Sequence, residues 1–285
     1  MAIIDPHAIL ISGARQFASA PLSAKFGIVV IAIYVLAALL APHMTPYGEA
    51  EIVGTQFEPW SSKFWLGTDN LGRDMLTRLV FGARNTIGIA FLTTCLAFSI
   101  GASAGLAAAT LAGWADQILS RLVDVLMSIP QLIFALLLLT IFGTSVSAMV
   151  LVLAVLDSTR VFRLTRAVAI NVAVLDYVEA ARLRGEASTW IMTREILPNI
   201  APTLVAEFGL RFCFVFLLIS ALSFLGLGMQ PPTADWGSMV RDTAALISYG
   251  DITPLLPAGA IALLAVAVNL VVDWFLHSAS GLKED

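Results

Sequence analysis

The residues able to do chemistry are few and widely spaced. Glu207 and Arg211 lie four apart within an otherwise uncharged run, so on a helix they share one face in the favourable acid-before-base order. Arg211 would lie about 14 Å along that helix from Pro202, and a charge that deep in apolar surroundings needs an ionic partner or a wet cavity. Asp273, near the end of the last apolar run, is placed to reach the same depth. The three suit an inner gate or a subunit interface. The plainer reading, which comes first, is a pair that simply neutralises itself between packed helices.

Other reactive types offer less. His7, His43 and His277 are far apart, so neither a metal site nor histidine catalysis is expected. Cys95 and Cys213 sit inside apolar blocks, as small hydrophobic fillers do. A phosphate-binding loop needs glycine amides followed by Gly-Lys, yet Lys25, Lys63 and Lys283 follow Ala24, Ser62 and Leu282. No catalytic residues are expected, and no ATP hydrolysis by that device. The 3 Lys and 13 Arg form no basic run, and net charge is −4, which argues against a nucleic-acid partner.

The elements that must carry these residues are set by composition. The chain is 59% hydrophobic and 13% charged, with mean hydropathy +0.89, whereas soluble domains carry about 25% charge. Its apolar residues come in long uncharged blocks, predicting an all-α polytopic membrane protein of about six transmembrane helices. These fall near Phe26–Ala41, Thr86–Leu111, Leu122–Phe142, Ser145–Leu156, Pro202–Leu225 and Pro254–Leu276. The third and fourth come from one uncharged block of 32 residues, Val125 to Leu156, divided at Gly143-Thr144-Ser145. The first run comes after Arg15 and Lys25 but lacks an A-x-A cleavage pattern, which suits a retained anchor.

With both termini inside, inner segments hold 10 basic residues and outer segments hold 5, favouring cytoplasmic termini. Residues 1–84 then comprise a tail, the first span and an outer loop. Residues 85–285 form the core, with an inner loop at about 157–200.

Within that inner loop, Glu179 to Arg184 are mostly strong helix formers, and Gly185 suits the left-handed position that ends a helix. Ser188 is positioned to cap a second helix over Trp190 to Ile196, which Pro198 should stop. Pro198 and Pro202 fit the first turn of a further helix leading into the fifth span. The product is a helix–turn–helix ledge, readable either as an interfacial amphipathic loop or as a docking surface. Gly101 and Gly105 have the spacing that lets helices approach closely, and only packing is expected of them.

The order Glu179-Ala180-Ala181, Gly185, then Ile196-Leu197-Pro198-Asn199 closely resembles the EAA loop of the permease subunits of ATP-binding-cassette importers. Glu195 replaces a histidine common there, and Arg184 a small or apolar residue. A second string, Trp65-Leu-Gly-Thr-Asp-Asn-Leu-Gly-Arg-Asp-Met-Leu-Thr-Arg-Leu-Val-Phe-Gly-Ala-Arg84, is by itself a turn-rich segment in which Asp69 and Asp74 can pair with Arg73 or Arg78. As a pattern, with Gly67, Thr68, Asp69, Gly72, Arg73 and Asp74, it is similar to the signature of the C-type permease of dipeptide, oligopeptide and nickel importers. Leu222 to Gly237 provides a third match, and Asp124 to Pro130 is also similar.

The resemblance implies the type I importer permease fold in a bacterial cytoplasmic (inner) membrane. It implies that Glu179, Ala180, Ala181, Arg182, Gly185, Trp190, Arg194, Leu197 and Pro198 form a coupling ledge seated in a groove of a separate ATPase. The implied partners are a second homologous permease, two ATPase subunits carrying ATP and Mg, an extracytoplasmic solute-binding protein and the lipid bilayer, with no cofactor bound by this chain. Peptides are the leading cargo, then nickel or another small solute. Outside this family, an ion-coupled secondary transporter drawing on the buried acids is the alternative, followed by a scaffold without flux.

Overall fold

A computed structural model of the chain describes residues 20–280. His7, Arg15, Lys283 and both termini lie outside the described residues. The elements are α1 (Leu22–Met44), α2 (Met75–Leu111), α3 (Gly113–Met127), α4 (Gln131–Phe142), α5 (Val146–Ala173), α6 (Asp176–Leu183), α7 (Ser188–Phe224), α8 (Trp236–Thr243) and α9 (Leu255–Ser280). A 3₁₀ turn, Ala244–Tyr249, comes directly after α8.

Four helices, α1, α2, α7 and α9, are each long and apolar enough to cross a membrane. The expected third span, Leu122–Phe142, is instead the bent pair α3 and α4, which meet at 87°. Pro130 explains the break: it cannot donate a backbone hydrogen bond and pushes its predecessor out of helical geometry. The Ser128 hydroxyl takes up the Val125 carbonyl there at 2.7 Å.

The expected fourth span ended at Leu156, but α5 runs on to Ala173, 28 residues or about 42 Å. Its second half carries Asp157, Arg160, Arg163 and Arg166, which a hydropathy profile reads as loop. Tertiary partners make the continuation tolerable. Arg166 forms a two-pronged ion pair with Asp116 of α3, and Asp157 faces Arg211 of α7. Likewise α2 starts at Met75 rather than Thr86, because the Asp74 carboxylate caps it by accepting from Thr77 N–H at 2.8 Å.

α7 is also longer than expected. The sequence predicted a stop at Pro198 and a further helix with Pro198 and Pro202 in its first turn, yet one helix spans Ser188–Phe224 through both prolines. The device is a π-helical turn over Ile191–Ile196, in which Leu197 N–H reaches back to the Met192 carbonyl. The wider turn absorbs the missing proline donor without breaking the rod. Nor does Ser188 cap this helix: Ala187 holds the cap position, with no side-chain hydrogen bond.

α2 and α5 pack along much of their length. A Cβ at Gly101 would stand 2.7 Å from the Val161 Cβ, and one at Gly105 would stand 2.8 Å from the Thr165 Cβ. Such separations leave no room for a side chain, so the expected small-residue seam is the α2–α5 interface. α1 and α9 pair with each other against α2 and α7. The centre is apolar, with Leu153, Phe216, Ile219, Leu222 and Trp236 all at or below 1% exposure.

Candidate functional site

Three groups of candidate residues are placed by this frame, at opposite ends and at mid-depth. Residues 45–74 form a cap over one end of the bundle, and α6 with the start of α7 forms a ledge at the other.

The ledge is rigidly set. α6 buries Val178 and Ala181, both at 0% exposure, against Ile191, Ile196 and Ile200 of α7 and against Leu106, Ala109, Ala169 and Ala173 of α2 and α5. Gly185 ends α6 at φ +82. Glu186 N–H then bonds the Ala181 carbonyl (3.2 Å) while Gly185 N–H bonds that of Arg182 (2.9 Å). This pair of bonds is the Schellman closure, as the left-handed glycine predicted. Nothing lies within 4 Å of where a Gly185 side chain would start.

Glu179, Ala180, Arg182, Arg184, Gly185, Trp190, Arg194 and Pro198 are exposed, and Leu197 is half-buried. Ala181 points inward, so of the two alanines only Ala180 is presented. Sequence reading did not single out Leu183, 82% exposed, or Val174, 76% exposed; with Leu175 and Tyr177 they give the ledge an apolar outer surface. Val174 and Leu175 lie in the turn before α6 and Leu183 at its last position, so no single helical stripe marked this surface in the sequence. Arg182 pairs with Glu179 (3.6 Å), and Arg184 lies 4.0 Å from Glu195.

At mid-depth, Arg211 Nε stands 2.7 Å from Glu207, and its Nη1 stands 3.9 Å from Asp157 of α5. Its guanidinium also lies over the Phe214 ring at 4.8 Å, a favourable placement for a cation. Asp157 is fully buried. The structure thus brings Glu207 and Arg211 together but sets Asp273 apart, exposed on α9, and the third member of the cluster is Asp157. That residue was legible only as the charge that ended an uncharged block.

At the cap, Asp69 accepts from the backbone N–H groups of Leu71 and Arg73 and binds both the Arg73 and Arg78 guanidinium groups, at 2.7 and 3.1 Å. All three charged groups are at or below 5% side-chain exposure. Asp74 pairs with neither arginine and caps α2. Thr68 donates to the Thr55 carbonyl and accepts from Glu58 N–H, while Gly67 and Gly72 turn the chain at positive φ.

The two motif strings, about 150 residues apart, interlock here. Arg78 donates to the Pro232 carbonyl (3.2 Å) and Asn85 to that of Ala234 (2.9 Å), and Thr86 donates to Asp235 (3.1 Å). Glu49, which the sequence reading passed over, ties Asn85 to Ala234 N–H. Burial pushes the Asp235 carboxyl above its ordinary pKa, against the pull of the Ser238 N–H and nearby hydroxyls.

Among the described residues no group of His, Cys, Asp and Glu is arranged to hold a metal. What the three groups present is an exposed apolar surface with charged neighbours at one end, a buried ion-pair cluster at mid-depth and an interlocked cap at the other end.

Comparison with known proteins gives the same direction. Residues 97–278 match the family described as the binding-protein-dependent transport system inner membrane component. The chain is 31% identical over 248 residues to the dipeptide transport system permease protein DppC of Alkalihalophilus pseudofirmus, covering 87% of this chain and 82% of that one. It is 36% identical over 252 residues to a putative peptide transport system permease protein of Brucella suis, covering 88% and 85%. It is 33% identical over 213 residues to the glutathione transport system permease protein GsiD of Pectobacterium atrosepticum, covering 75% and 71%. The chain belongs to the family of binding-protein-dependent inner membrane components, the permease subunits of ATP-binding-cassette importers.

Proposed function

We propose that this chain forms half of the translocation pathway of a peptide importer in a bacterial inner membrane, beside a second, different permease. Two ATPase subunits carrying ATP and Mg grip the ledge from the cytoplasm, and a solute-binding protein delivers cargo at the cap end. Peptide cargo is supported by relatives named for dipeptide, peptide and glutathione transport.

The observation that carries the coupling role is the ledge itself. Its underside is packed and its end locked, while Tyr177, Ala180, Leu183 and Trp190 are left at the surface with flanking charges. An apolar surface with a polar rim, held in one conformation, is the form a docking site takes. Because α6 packs on α7, movement of the ledge would be felt at Glu207 and Arg211, which we assign to the inner gate or to the interface between permeases.

The test is purification of the complex in mild detergent, then reconstitution. Co-purification of two ATPase subunits and a second permease, with uptake of labelled dipeptide that requires ATP on the ledge side and binding protein on the cap side, is expected. A preparation of this chain alone that takes up solute without ATP would replace this reading with ion-coupled transport.

A further inference from the structure

Between α1, α2, α7 and α9 runs a groove of about 730 Å³ that the transport reading does not use. Its volume falls within the roughly 300–1,000 Å³ usual for ligand sites. The walls are apolar and aromatic, including Leu39, Phe91, Phe208 and Phe212. Tyr34 also lines it, but its hydroxyl is taken up by the Ala260 carbonyl at 3.1 Å, leaving the ring as hydrocarbon wall. Leu39 is 71% and Phe91 53% exposed, so the groove opens onto the apolar flank of the bundle.

One charged residue lines this groove. Arg84 is exposed, stands nine residues or about 14 Å into α2 from its cap end, and forms no ion pair among the described residues. Its neighbours are engaged: Asn85 binds Glu49 and Ala234, and Arg78 binds Asp69. An unpaired guanidinium on a membrane-facing flank needs an anion or water. From Arg84 the groove runs past Gly88 to Phe91, about 10 Å deeper along α2, so cation and apolar channel are arranged head to tail.

We propose that this groove is a binding site for a phospholipid of the cap-end leaflet, its acyl chain lying along Gly88 and Phe91 and its phosphodiester on Arg84. Guanidinium matches phosphate through paired, charge-assisted hydrogen bonds, and basic pockets between membrane helices hold lipid head groups in this way. Gly88 keeps the channel open: a Cβ there would meet nothing within 4 Å, so a larger side chain would fill the groove without disturbing its walls.

The experiment uses the full chain in mild detergent, titrated with dioleoyl-phosphatidylglycerol and read by native mass spectrometry. Wild type is expected to retain one lipid, Gly88→Leu to lose it with an unchanged thermal midpoint, and Arg84→Gln to retain it about tenfold more weakly, as expected for one lost charge-assisted bond. In the assembled complex, a photoreactive side chain at position 88 is expected to give a lipid-mass adduct. Equal retention by wild type and Gly88→Leu would overturn the proposal. So would a photoadduct to a protein chain, which would make the groove a protein interface.

Discussion

The indole N–H of Trp236 donates to the Leu79 carbonyl at 2.8 Å, across 157 positions of sequence. Its ring packs edge-on against Tyr34 and Phe216 at 5.5 and 6.1 Å. One side chain therefore ties α8 to α1, α2 and α7. Trp236→Ala should destabilise the fold by about 3–5 kcal/mol, and Trp236→Phe by less, seen as graded falls in the thermal midpoint of the detergent-purified chain.

Asp69 holds two buried arginines. Asp69→Asn takes away the carboxylate that the two arginines share and should cost about 3–5 kcal/mol, read as faster proteolysis within residues 45–74. Adding Arg73→Gln should recover part of the loss. A cap that survives Asp69→Asn unchanged would mean that the backbone turns, and not the ion pairs, hold it.

Gly185→Leu forces a side chain into the left-handed region at about 1–2 kcal/mol and loosens the Schellman closure. Membrane insertion should be normal, with ATP hydrolysis continuing while peptide uptake falls. Gly185→Asn, which tolerates that backbone better, should uncouple less. Wild-type uptake in the leucine variant would remove the ledge from the mechanism.

Arg211→Gln takes away the cation that Glu207 and Asp157 share. The cost should be about 2–3 kcal/mol, below the roughly 3–5 of a fully buried pair, since Arg211 and Glu207 keep 12% and 18% side-chain exposure. Uptake by the assembled complex should fall, with partial return in Arg211→Gln/Glu207→Gln. Unaltered uptake and assembly would leave the cluster as internal neutralisation alone.

Gly101→Leu places a branched side chain where Val161 already stands. It should block the α2–α5 seam outright and yield no stable chain, whereas Gly101→Ala should lower the thermal midpoint through overpacking of about 1–3 kcal/mol.

How far the fold is legible in the sequence depends on the range over which each signal acts. Helices α1 and α9 are long apolar runs with one charged residue each, Lys25 and Asp273, and need only hydropathy to be found. Gly185 and Gly101 have local meanings that hold wherever the chain takes them. The continuation of α5 past Asp157 is hidden because the residues that make it tolerable, Arg211 and Asp116, lie 54 positions later and 50 positions before the charges they meet. Pro130 and Pro198 are both breakers by rule, yet one bends the chain by 87° and the other is absorbed. The π-helical turn that separates these outcomes depends on i→i+5 pairing, which hydropathy does not register. Expected depth alone groups Asp273 with Arg211. Depth along a helix says nothing about azimuth, and α9 turns Asp273 away.

On the coupling role proposed for the ledge, the uninterrupted course of α7 bears on how work crosses the membrane. Ser188–Phe224 is a single rod of 37 residues, about 55 Å long. A jointed helix would dissipate a push at Trp190 as bending near Pro198. A rod pivoting about its packed middle converts that push into opposite displacement at the far end. A tilt of only about 5° moves one tip by roughly 5 Å relative to the other over that length. On that reading the two prolines, expected to stop one helix and start another, sit within the arm of a seesaw, with its fulcrum where α7 carries Glu207 and Arg211 past α5.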